Sequence, residues 1–161
     1  MSELGIIIAI IGMALASILP GWASAKGVGM AGKSAAGAVA ENSDLFAKVL
    51  LLQLLPGTQG IYGFLIAFVT MMQLGIVGGA QIEVSLIKGV AYLLACLPIA
   101  IIGYLSAIHQ ATTSVASINL VVKSPNEFGK ALIFPAMVET YAILALLISL
   151  LAVFGVTGMN I

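Results

Sequence analysis

Four long apolar segments, at roughly residues 4–40, 46–76, 85–122 and 128–157, make up most of this 161-residue chain. The hydrocarbon core of a bilayer is crossed by about 20 helical residues. Every segment exceeds that length, so each is expected to cross a membrane with some tilt or to run past it. Polar breaks separate them: Glu41-Asn42-Ser43-Asp44, the Gly-rich Gly75–Gln81 with Glu83, and Lys123-Ser124-Pro125-Asn126-Glu127. A membrane β-barrel needs strands of about 10 residues that alternate apolar and polar, and nothing here alternates. Composition agrees, because only 7% of residues are charged against about 25% in soluble domains. The chain is therefore read as an all-α membrane protein, a single membrane domain over residues 1–161 with four transmembrane helices.

Several classes drop out at once. Formal net charge is zero, so no nucleic-acid partner is implied. Cys96 and His109 are each the only residue of their kind, which excludes an internal disulfide and makes a His-based metal site implausible. The first basic residue is Lys26, after the apolar stretch, so the first segment is expected to be a retained span. A cleavable leader ending near Ala23-Ser24-Ala25 is the lesser reading. No phosphate-cradling loop is expected in the Gly-rich Gly27–Gly32 stretch, which leaves any nucleotide hydrolysis to partners.

Lysines set the expected orientation. Lys26, Lys33 and Lys48 flank the first break, Lys123 and Lys130 the third, and Lys88 alone the second. Loops near 41–45 and 123–127 are thus expected to face the cytoplasm, with both termini on the opposite side. The halves also align at an offset of 82 residues. Phe46-Ala47-Lys48 falls on Phe128-Gly129-Lys130, and Thr58, Ile61 and Ile66 fall on Thr140, Ile143 and Ile148. An even number of helices per half makes the repeat parallel. Residues 1–78 form a first hairpin and 79–161 a second, with Gly57 in the first where the second has Glu139.

Thirteen of the eighteen residues from 23 to 40 are Gly, Ala or Ser. Gly21, Ala25 and Gly29 recur every fourth residue, as do Gly32, Ala36 and Ala40, and the third segment carries Gly103, Ala107, Ala111 and Ser114. Small residues let helix backbones approach closely in lipid. Packing within one subunit and crowding in an inner ring of helices from many subunits both explain them, and the alternation with two bulkier segments favours the ring.

Glu139 is the one acidic residue inside a span. A charge in the bilayer centre costs at least ~2.5–3.5 kcal/mol, so it needs compensation. In the second segment Leu55, Thr58, Gln59 and Tyr62 share one helical face, and the third carries Gln110. Counted from Lys130, Lys48 and Lys123, residues Glu139, Gln59 and Gln110 lie at similar depth, roughly 14–20 Å below those anchors at 1.5 Å per residue. One carboxylate, two amides and a threonine hydroxyl suit a small hard cation. Such a set favours Na⁺, since a proton needs only the carboxylate and one partner. Polar glue between helices is the competing structural reading.

The run Leu54-Leu55-Pro56-Gly57-Thr58-Gln59-Gly60-Ile61-Tyr62-Gly63-Phe64 resembles the second-helix motif of the rotor-ring proteolipids of bacterial V-type ATPases, the 16-kDa or c-type family. Ala136-Met137-Val138-Glu139-Thr140-Tyr141-Ala142 resembles its ion-binding motif, and Ser24-Ala25-Lys26-Gly27-Val28-Gly29-Met30 its first-helix signature. For Na⁺-carrying members the resemblance implies ligands at Leu55 (backbone carbonyl), Thr58, Gln59, Gln110 and Glu139, with Tyr62 hydrogen-bonding Glu139 to lock the site. It also implies a ring of identical subunits in lipid. That ring turns against a stationary subunit bearing an arginine, and central-stalk subunits couple it to the soluble ATPase head. The chain itself would not be catalytic. Pro20, His109 and Pro135 depart from the family pattern without removing a ligand. The alternatives are the same rotor carrying H⁺, a standalone pore or structural oligomer, and a small secondary transporter.

Overall fold

A computed structural model describes residues 2–78 and 83–159, and among these it contains helices and turns but no strand. Helix α1 is Ser2–Glu41, α2 Phe46–Leu54, α3 Thr58–Gln73, α4 Leu86–Lys123 and α5 Phe128–Thr157. The second span is therefore composite. At Pro56 a full 3₁₀ turn, Leu55–Gly57, separates α2 from α3, because proline removes one N–H from the ladder and crowds the preceding turn. Pro135 lies inside α5, which stays α-helical through it. Counting α2 and α3 as one, four helical spans among the described residues are long and apolar enough to cross a membrane. The middle break and the boundary between hairpins at 78/79 fall partly outside the described residues.

Local chemistry ends the helices. Asn42 accepts from the Asp44 N–H in the first break. Ser85 caps α4 by accepting from the Lys88 N–H. After α3 the backbone turns left-handed at Gly75 (φ 68°), where glycine carries no steric penalty. The Lys48 ammonium donates to the Pro125 carbonyl at 2.8 Å, which puts the first and third breaks at one end of the bundle. At the other end Lys88 reaches the Met159 carbonyl at 3.1 Å.

Helices α1 and α4 pack most closely, and glycine is what permits it. A Cβ on Gly12 would lie 2.6 Å from the Leu93 Cα, and one on Gly89 would collide with the Gly5 carbonyl. The Gly103, Ala107, Ala111 and Ser114 stripe is buried inside the subunit. The Gly21, Ala25 and Gly29 stripe is not: a Cβ added to either glycine would meet nothing within 4 Å. Residues Gly27, Gly32, Lys33 and Ser34 do carry the G-x-x-x-x-G-K-S spacing of a phosphate-cradling loop. They lie within α1, so their N–H groups serve the helix and no loop exists to hold a phosphate.

Candidate functional site

Glu139 projects from α5 towards α3 and α4 at mid-span. The 3₁₀ turn at Pro56 starts α3 as a fresh helix, and the first turn of a helix has free N–H groups. One of them, Gly60 N–H, donates to the Ser24 hydroxyl of α1 at 2.9 Å. This contact seats the segment that carries Thr58, Gln59 and Tyr62.

Tyr62 lies one turn beyond Thr58, and its hydroxyl donates to Glu139 Oε1 at 2.6 Å. Gln110 of α4 donates through Nε2 to Glu139 Oε2 at 3.4 Å and to the Pro135 carbonyl at 3.0 Å. Gln59 does not touch the carboxylate directly. Its Nε2 donates to Gln110 Oε1 at 2.5 Å and to Ser106 Oγ at 3.3 Å. Ser106 in turn donates to the Val138 carbonyl at 3.0 Å. Gln59 and Gln110 are fully buried, while Glu139 and Tyr62 are half-buried.

Glu139, Tyr62, Gln110 and Gln59 thus form one connected cluster. Leu55 and Thr58 sit beside it, within the turns before Tyr62. The Thr58 hydroxyl donates to the Leu55 carbonyl at 3.0 Å, and the same carbonyl accepts the Thr58 N–H. No hydrogen bond among the described residues joins that pair to Glu139.

One atom stands out. Gln59 Oε1 is buried without a hydrogen-bond partner, and a buried amide oxygen left bare is destabilising by about 1–3 kcal/mol. In the same connected cluster as the Glu139 carboxyl, it is an oxygen acceptor that no donor fills. Such a set can take up a small cation.

Sequence reasoning missed Ser106 and Ser24. A signal for them existed, since they are separated by the same 82 residues as the other repeat pairs. His109 is exposed and lines an open cleft between α4 and α5 with Ser106, Met137 and Tyr141.

The family of the ATP synthase C subunit matches residues 11–70 and again residues 93–152. The two matches start at the offset of the internal repeat. The chain is 46% identical over 151 residues to the V-type sodium ATPase subunit K of Enterococcus hirae, covering 94% of this chain and 93% of that protein. It is 36% identical over 152 residues to the A-type ATP synthase subunit K of Methanocaldococcus jannaschii, covering 94% of this chain and 64% of that one.

Proposed function

The chain belongs to the family of the ATP synthase C subunit, and from that premise we propose that it is the Na⁺-carrying rotor-ring subunit of a V-type ATPase. It does not hydrolyse ATP itself. Identical subunits form the ring, which turns in lipid against a stationary arginine-bearing subunit. Central-stalk subunits of the soluble head engage the loops near 41–45 and 123–127, whose flanking lysines favour the cytoplasmic side.

The observation that carries this reading is that the Glu139 carboxyl and the bare Gln59 Oε1 belong to one hydrogen-bonded cluster, joined through Gln110. Na⁺ is cargo. It binds Glu139 and the Gln59 oxygen, and Gln110 reaches it through the same network. Rotation of the Thr58 hydroxyl away from Leu55 adds that hydroxyl and the Leu55 carbonyl to the ligand set. Tyr62 holds Glu139 in place and screens it from lipid. A loaded site is neutral and passes through lipid, whereas a bare carboxylate there is strongly disfavoured. Rotation therefore moves ions in one direction only when the site loads on one side and empties on the other.

Carbodiimide labelling tests the assignment. Na⁺ is expected to protect Glu139 from modification, and Glu139→Gln is expected to abolish Na⁺ transport while the ring still assembles. Coupled Na⁺ transport by that variant would falsify the reading. Labelling that responds to pH but not to Na⁺ would assign the same rotor to protons.

A further inference from the structure

We propose that Ser106 is a positioning residue that holds the Gln59 amide in register, aiming its carbonyl oxygen rather than its NH₂ at the cation. The inference rests on the Na⁺ reading above and deepens it.

The Val138 carbonyl can only accept, so the single Ser106 hydroxyl hydrogen is committed to it. Ser106 Oγ can then only accept from Gln59, and the Gln59 atom facing it must be Nε2. Because Nε2 also faces Gln110, the Gln110 atom it meets must be Oε1. Gln110 is left with Nε2 for the Pro135 carbonyl, again a pure acceptor, and for Glu139. Two backbone carbonyls of α5, at 135 and 138, therefore dictate the orientation of both amides. The free atom at the end of this chain is Gln59 Oε1. Without Ser106 the Gln59 amide loses one of the two contacts that set its orientation, and presenting NH₂ to the cation becomes accessible.

Ser24 is an internal comparison. It occupies the same repeat position in the first hairpin, and it too bonds backbone of a helix bearing site residues, at Gly60. It touches no ligand side chain in the hydrogen-bond network. A role limited to docking helices would make the two serines equivalent.

The test measures Na⁺ protection of Glu139 from carbodiimide in membranes holding the assembled complex. Ser106→Ala is expected to raise the half-protecting Na⁺ concentration about tenfold, the value of one hydrogen bond, with labelling in the absence of Na⁺ retained. Ser106→Thr, which keeps the hydroxyl, is expected to stay near the parent, and Ser24→Ala to shift far less than Ser106→Ala. Should Ser106→Ala fail to assemble, Ser106→Cys, close in size but a weak hydrogen-bonding group, gives the same reading. An unchanged Na⁺ response in the alanine or cysteine variant, or equal shifts at Ser24 and Ser106, overturns the proposal alone. Absence of Na⁺ protection in the parent overturns the Na⁺ reading and this inference with it.

Discussion

Glu139 receives two hydrogen bonds from side chains that differ in kind, and they should fail differently. Tyr62 gives a charge-assisted bond of 2.6 Å, a class worth about 1.5–3 kcal/mol. Tyr62→Phe keeps the ring and removes the donor. Its Na⁺ half-saturation, read from ATPase activity, is expected to rise by roughly tenfold or more. Gln110 also ties Glu139 to the Pro135 carbonyl and to Gln59. Gln110→Ala strips Gln59 of an acceptor as well, so its loss of Na⁺ affinity should exceed that of Tyr62→Phe. Direct ²³Na or ²²Na binding to purified rings checks the order. Equal losses would show that the two amides are not coupled.

At the scale of helices, glycine divides into two uses. Gly12 and Gly89 sit where α1 and α4 touch, and a side chain there meets backbone that cannot move aside. Gly89→Val should wedge the helices apart, and overpacking of this kind typically costs about 1–3 kcal/mol. A lower melting temperature of the solubilised subunit is the expected result. A Cβ added to Gly21 would meet nothing within 4 Å in its own subunit. Gly21→Leu is expected to leave insertion intact and to reduce ring assembly on native gels. Assembly at parental levels would show that this face of α1 does not meet a neighbouring copy. The small-residue stripes were legible in the sequence as close-packing surfaces. Which stripe faces inward was not, because that depends on the rotation of α1 about its axis against α4.

For the whole molecule, the two copies of the repeat differ at the position of the acid. The repeat counterpart of Glu139 is Gly57, and the counterpart of Gln110 is Val28. A Cβ on Gly57 would lie 3.3 Å from the Val28 side chain, so apolar packing fills the place of the carboxylate and amide. Leu144 stands where Tyr62 would have its equivalent. Restoring the acid alone, as Gly57→Glu, is therefore expected to add no second Na⁺. Counting bound Na⁺ per subunit checks this, and two ions per subunit would show that the first hairpin retains a competent shell.

Four spans, the parallel repeat and the candidacy of Glu139, Gln59, Gln110 and Tyr62 followed from the sequence alone. Long charge-poor runs admit few structures in lipid, and a lone acid in such a run must be compensated by polar neighbours. Helical spacing also placed Leu55 and Thr58 on that face, but periodicity says nothing of hydrogen direction. Only the tertiary structure decided that Gln59 reaches Glu139 through Gln110, and that Ser106 joins Gln59 to the Val138 carbonyl. Those facts depend on how three helices from distant parts of the chain are rotated and stacked. Each donor must there find an acceptor among groups that no local pattern brings together.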